Sequence, residues 1–242
     1  MGRREPAALV ALKPAEIAKS RLATFPDPLR QRLAWTMALD TLRSLTAVLP
    51  VIVISTQPDL NARLRAEQIS AQVVTEPVAS GVNAALRHGE EAAAAAGFAG
   101  TLACVGDLPA LQPTSVKAVL KAAAEVPRAF VADTSGIGTT MLIAIGASLN
   151  PHFQGRSAVA HQASGAVALG HAELGGQVAD ARRDVDGEAD LYDAYQLGLG
   201  PATRQLFDAR GRLGRYELIT VSNGQRRHAV VSEGQVLSAW PT

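Results

Sequence analysis

A chain of 242 residues with 23 basic and 22 acidic side chains carries a formal charge of +1, so neither nucleic acid nor an anionic membrane is called for as a partner, and any basic site must be local. The single cysteine, Cys104, excludes an intramolecular disulfide framework and a multi-cysteine zinc site, and reads as a small buried hydrophobe. No apolar stretch approaches the roughly 20 residues of a membrane span, and the start Met1-Gly2-Arg3-Arg4-Glu5-Pro6 has no signal-peptide core after its arginines, so a cytoplasmic protein is expected.

The apolar run Ala7 to Leu12 reads as a first strand and leads into the loop Lys13-Pro14-Ala15-Glu16-Ile17-Ala18-Lys19-Ser20-Arg21-Leu22. Lys13, Lys19 and Arg21, with the hydroxyl of Ser20, suit a polyanion such as a triphosphate, because lysine acts as a point charge and arginine as a forked donor. Charge alone favours a solvated basic loop, a preference that its position after the strand and the features below reverse. Leu29, Leu33, Met37, Leu39, Leu42 and Leu45 then recur at near-helical spacing between Pro28 and Val48. Pro50 to Thr56 is β-branched and apolar, the pattern of a central strand covered on both faces. A short helix from Pro58 to Ala66 and a strand around Gln72 to Val74 complete a second βαβ unit.

The loop Glu76 to Asn83 precedes an alanine-rich helix that stops at Gly97. Ser80 is expected to cap that helix, Gly81 to admit a ligand close to the backbone, and Asn83 to offer a donor and an acceptor to a base or ribose. Thr101 to Val105 reads as a buried strand ending in Gly106-Asp107-Leu108-Pro109. Asp107, a carboxylate at the carboxyl end of a central parallel strand, is well placed to hold a hard cation; an aspartate bonded to its own turn is the competing reading. A helix from Pro113 to Ala124 and a strand over Ala129 to Ala132 lead to the loop Asp133 to Thr140. That loop is a hairpin-like connection or, through amides at Gly136 and Gly138 and the hydroxyls of Thr139 and Thr140, a receptor for phosphate or carboxylate. It does not match a P-loop.

Ser157 opens a helical segment to Ser164, as a cap, an anion contact or both, while His161 has no partner at metal-ligand spacing and reads as a core or surface histidine. Arg182 to Leu191 ends a strand-like approach and starts a helix, with its carboxylates as caps or Asp186 as a second cation ligand. A short helix follows Pro201, and the runs Arg215 to Val221 and Arg227 to Leu237 flank Ser222-Asn223-Gly224, a hairpin signal. The alternation of elements predicts a doubly wound α/β domain with a mainly parallel sheet over residues 1–210 and a C-terminal β-hairpin extension over 211–242. The extension is expected to support a subunit contact, as in a homodimer, or to shield an edge strand. Since the polar loops follow strands, the basic loop, the Ser80 to Asn83 loop and Asp107 are expected to converge on one sheet edge, a combination that suggests phosphoryl or nucleotidyl transfer.

Lys13-Pro14 followed by Ala18-Lys19-Ser20-Arg21-Leu22, then Gly81-Val82-Asn83-Ala84-Ala85-Leu86, Gly106-Asp107-Leu108-Pro109, Gly138-Thr139-Thr140 and Arg183-Asp184-Val185-Asp186, in that order, resemble the guanylyltransferases of deazaflavin coenzyme F-420 biosynthesis, relatives of the molybdenum-cofactor guanylyltransferases. The resemblance covers residues 7–208 and implies a single-domain, nucleotide-diphospho-sugar-transferase-like fold that joins GMP from GTP to a small phosphorylated three-carbon acid, releasing pyrophosphate for a product that a downstream transferase consumes. It implies Lys13, Lys19 and Arg21 on the triphosphate, Ser20, Gly81 and Asn83 near the nucleotide, and Mg²⁺ on Asp107 and Asp186, with Asp184 the alternative to Asp186. Thr139, Thr140, Gln154 and Ser157 would meet the acid, although related sequences often have glycine where this chain has Gln154. Phosphoenolpyruvate is preferred over 2-phospho-L-lactate and 3-phosphoglycerate on the Ala- and Arg-rich composition. A sugar- or molybdopterin-nucleotide synthase would need a G-x-G-x-R-x-G first loop, and a Rossmann dehydrogenase a glycine-rich first turn; the chain has neither. A non-catalytic GTP-binding regulator on the same fold is the reading from a different class.

Overall fold

The computed structural model describes residues 5–14, 22, 27–175 and 178–208, together with three strands between 215 and 241. Strands β1 (Ala7–Ala11), β2 (Val51–Ser55), β3 (Gln72–Thr75), β4 (Gly100–Cys104), β5 (Arg128–Ala132), β6 (Thr139–Ile145) and β7 (Val167–Ala168) form one sheet in the order β3-β2-β1-β4-β6-β5-β7. β1 pairs parallel with β2 and β4, β2 with β3, and β5 with β7, whereas β6 runs antiparallel to β4 and β5. The expected mainly parallel sheet is present, with one reversed strand. The reversal has a local cause: Asp133 to Gly138 is too short for the crossover that a parallel pair needs. It brings the amino end of β6 to the edge where the other strands have their carboxyl ends.

Alternate strand residues face opposite layers. Ala8, Val10, Val53 and Val131 pack with α1 (Asp27–Thr46), α2 (Leu60–Ala66) and α4 (Pro113–Ala123). Leu9, Ile52, Ile54 and Phe130 pack with α3 (Val82–Ala95) and α5 (Ser157–Ala163). Every residue of β2 is buried, as its unbroken apolar run requires.

After β7 come α6 (His171–Leu174), α7 (Ala179–Arg182), α8 (Glu188–Leu197) and α9 (Pro201–Asp208). A third cluster, including Leu33, Met37, Val185, Leu191 and Leu206, joins the last two of these to α1. The strand-like approach expected before Asp186 is instead the short helix α7, in keeping with the helix preference of its Ala and Arg residues.

The tail holds β8 (Arg215–Thr220), β9 (Arg226–Ser232) and β10 (Gln235–Pro241), an antiparallel sheet in the order β10-β9-β8 that, among the described residues, is a sheet separate from the larger one. β8 and β9 form the expected hairpin, and the turn assigned to Ser222-Asn223-Gly224 lies outside the described residues. The run read as one strand from Arg227 to Leu237 is two strands, with Glu233 and Gly234 between them. Among the described residues no helix is long and apolar enough to cross a membrane.

Candidate active site

Several chain segments meet at the edge defined by the carboxyl ends of β1, β4 and β5 and the amino end of β6, around a cleft of about 1030 Å³. That volume is at the upper end of small-molecule pockets, about 300–1,000 Å³, and leaves room for two substrates. Lys13 lines it just beyond β1, where the chain is held by Leu12 N–H donating to Ile54 (2.9 Å) and by the Ser55 hydroxyl donating to the Leu12 carbonyl (2.8 Å). Lys19, Ser20 and Arg21 lie outside the described residues.

Asp107 lines the cleft in the loop after β4, and its neighbours are clamped from two sides. Leu108 N–H donates to the Thr41 hydroxyl of α1 (3.0 Å), and the Asp107 carbonyl accepts from Val185 N–H (3.1 Å). The second contact draws Asp184 and Asp186 to the same wall, and both line the cleft. Beyond them Asp190 accepts from the amides of Asp186 (3.1 Å) and Gly187 (2.8 Å), while Arg183 bonds Asp190 and Asp193, each at 3.0 Å. The helix-capping carboxylate is therefore Asp190, and Asp186 is one of the residues that line the cleft.

Burial, then the neighbouring charges of Asp107, Asp186 and Asp133, push the Asp184 carboxyl up to about 7. Among the described residues no three His, Cys, Asp or Glu side chains form a ready-made metal nest. The donors are nonetheless all oxygen, and Mg²⁺ commonly takes only one or two carboxylates and completes its shell with water and substrate phosphates, so the set fits that ion.

Asp133 was passed over as a site residue, although it stands at the end of β5 as Asp107 stands at the end of β4. Of the two readings of its loop, the amides follow the hairpin-like connection, while Thr139 stays on the cleft. The Asp133 carboxylate already accepts from the amides of Ile137 (3.0 Å) and Gly138 (2.8 Å) and from the Ser135 hydroxyl (2.8 Å), so the turn holds an anion of its own.

Of the paired threonines, Thr139 lines the cleft and Thr140 does not. Successive strand residues face opposite ways, and the Thr140 hydroxyl, fully buried, donates to the Ala181 carbonyl (2.7 Å). Thr140 is thus a structural contact to α7. Ser157, the first residue of α5, and Gln154 also line the cleft. Gln154 has a φ of 109° and Gly155 one of 56°, a left-handed turn in which a glycine at position 154 would sit without strain.

The loop before α3 departs most from expectation. The cap residue is Gly81, whose φ of 84° only glycine adopts readily, and Ser80 instead donates to Glu76 (2.6 Å). Asn83 gives both ends of its amide to one partner, donating to the Phe153 carbonyl (2.9 Å) and accepting from Phe153 N–H (2.7 Å). It anchors the loop that carries Gln154, and Val82 is the residue of this turn that reaches the cleft. The reading of Asn83 as a base or ribose contact is corrected accordingly.

Residues 28–189 match the family described as MobA-like NTP transferase domain. The chain is 41% identical over 205 residues to the phosphoenolpyruvate guanylyltransferase of Salinispora arenicola, covering 82% of this chain and 91% of that protein. It is 45% identical over 202 residues to the protein of the same name from Streptomyces avermitilis, covering 81% and 90%. Among solved structures, a nucleotide-diphospho-sugar transferase from Desulfovibrio desulfuricans superposes with a TM-score of 0.58 at 13% identity, covering 84% of this chain and 99% of that one, a likeness of fold.

Proposed function

The chain belongs to the MobA-like NTP transferase family, among the phosphoenolpyruvate guanylyltransferases, and on that premise we propose that it transfers GMP from GTP to phosphoenolpyruvate with release of pyrophosphate, in the biosynthesis of coenzyme F-420. The observation that carries this reading is the convergence of Asp107, Asp184 and Asp186 with Thr139, Ser157 and Lys13 on one cleft. Carboxylates and anion donors side by side suit two phosphorylated substrates that must be brought together against their mutual repulsion.

In the proposed reaction a phosphate oxygen of the acid forms a bond to the α-phosphorus of GTP, and the bond from that phosphorus to the pyrophosphate oxygen breaks. The nucleophile is anionic near neutral pH, because the last phosphate pKa is about 6. No serine or cysteine nucleophile and no histidine base is required. The work of the protein is neutralisation and alignment. Lys13 offers charge to the triphosphate, with Lys19, Ser20 and Arg21 assigned to the same task by the sequence. Thr139 and Ser157 offer hydroxyls to the acid. Asp107 with Asp186 or Asp184 would hold Mg²⁺, which when bound supplies charge neutralisation across the phosphate oxygens.

The test is pyrophosphate release with GTP and Mg²⁺, comparing phosphoenolpyruvate, 2-phospho-L-lactate and 3-phosphoglycerate, with ATP and CTP as nucleotide controls. Release with phosphoenolpyruvate and GTP alone is expected. Turnover with another acid would reassign the acceptor, and tight GTP binding without turnover on any acid would make the protein a GTP-binding regulator.

A further inference from the structure

His161 is fully buried on α5, and the reaction above leaves it without a task. Both of its ring nitrogens are engaged. Nε2 lies 2.9 Å from the backbone nitrogen of His152, and Nδ1 lies 2.9 Å from the Thr139 hydroxyl oxygen. A backbone N–H can only donate, so Nε2 accepts and carries no proton. A neutral imidazole keeps one proton, which must then be on Nδ1 and must point at Thr139.

The surroundings keep the ring neutral. Phe153 and Phe130 lie 5.0 and 6.0 Å away between ring centres. Burial, followed by the charges of His152 and Arg128, lowers the imidazole pKa to about 4. Arg128 is itself fixed, donating to the carbonyls of Leu149, Asn150 and Ser164.

A hydroxyl oxygen that receives a hydrogen bond from Nδ1 has its own proton left to give. Among the described residues the Thr139 hydroxyl has no second hydrogen bond, and the open side of the residue is the cleft. We propose that His161 is a positioning residue: by donating to Thr139 it turns the threonine proton into the cleft, as a ready-made donor to an anionic oxygen of the phosphorylated acid. With the ring proton on Nε2 instead, Nδ1 would be an acceptor and the hydroxyl would spend its proton on the wall. The three groups form a chain in which every donor points the same way, from the His152 amide through imidazole and hydroxyl to the substrate, and such chains strengthen each member. The inference rests on the reading of Thr139 as a contact to the acid.

Steady-state pyrophosphate release by wild type, Thr139→Val, His161→Leu and the double variant tests it, with KM for phosphoenolpyruvate and for GTP measured separately. Each single variant is expected to raise the KM for the acid about tenfold or more, the scale of one hydrogen bond to a charged group, with the KM for GTP nearly unchanged. The double variant is expected to match Thr139→Val, because without the hydroxyl the histidine has nothing left to orient. A full added effect of His161→Leu in the valine background, or no effect of His161→Leu alone, overturns the proposal. The ring ¹⁵N shifts of His161 in the wild-type protein provide a readout that needs no variant: an Nδ1-protonated ring is expected, and an Nε2-protonated ring overturns the proposal. The same spectrum separates the two ways of failing. If Thr139→Val leaves the KM for the acid unchanged while the ring is Nδ1-protonated, the role given to Thr139 is at fault; an Nε2-protonated ring places the fault in the relay.

Discussion

Asp107 combines a constrained backbone with a side chain on the cleft, so a change there should act on chemistry before binding. Asp107→Asn keeps the shape and removes the charge. It is expected to lower kcat by about a hundredfold or more at saturating Mg²⁺, with the Kd for GTP changed far less. Turnover like that of wild type would remove its assigned role. Gln154 raises a different question, because its φ of 109° is costly for any residue with a Cβ. Gln154→Gly should relieve the strain at some cost in chain entropy, and a net gain of about 1 kcal/mol, seen as a raised Tm, is expected; a lowered Tm would mean that the glutamine side chain holds the loop. His161 connects the site to pH. Its imidazole titrates near 6.5 in an unfolded chain and near 4 when folded. Between those values the unfolded state binds a proton that the folded state refuses, so stability present above pH 6.5 is lost as pH falls, on the order of 3 kcal/mol in all. Urea midpoints at pH 7 and pH 5 measure the loss, and His161→Leu should flatten the slope.

Helix ends and strand ends, as whole elements, set the geometry of the site. α9 begins against a carboxylate from α1, with the buried Asp40 accepting from the amides of Ala202 (2.9 Å) and Thr203 (2.8 Å). Burial raises the Asp40 pKa against the pull of those hydrogen bonds and of Arg43. Asp40→Ala leaves two helix-start amides without their acceptor and should cost about 2 kcal/mol, read as a lower denaturant midpoint with KM values unchanged. A changed KM would mean that α9 reaches the cleft through the third core cluster. β6 shows how much depends on one reversal. Because it returns antiparallel from β5, its first residue rather than its last stands at the functional edge. Strand alternation then gives the Thr139 hydroxyl to the cleft and the Thr140 hydroxyl to Ala181. Gly138-Thr139-Thr140 contains both hydroxyls in sequence but does not say which one faces the substrate.

At the scale of the molecule, a formal charge of +1 conceals a local imbalance. Five aspartates, at positions 107, 133, 184, 186 and 190, line the described part of the cleft, while one of its cations, Arg183, is taken up by Asp190 and Asp193. A polyphosphate entering such a site calls for a countercharge, which is the physical case for Mg²⁺ and for the basic loop after β1. The separate sheet of the tail is the other feature of this scale. Removing residues 211–242 should reduce the number of copies per particle in solution if that sheet joins two copies of the chain, and an unchanged copy number with an unchanged Tm would rule out both a subunit contact and a stabilising role. Most of the elements, the mainly parallel order and the edge carrying Lys13, Asp107 and Thr139 were legible in the amino-acid sequence, because periodicity, glycine and proline stops and strand-end position are local properties that the chain carries in order. The duties of Asn83, Thr140 and His161 were not. Each depends on a partner 70, 41 or 22 residues away. Sequence therefore determined which side chains could arrive at the edge; tertiary packing decided which of them spend their hydrogen bonds on the protein and which keep them for a ligand, since a buried polar group takes whatever partner the fold brings to it.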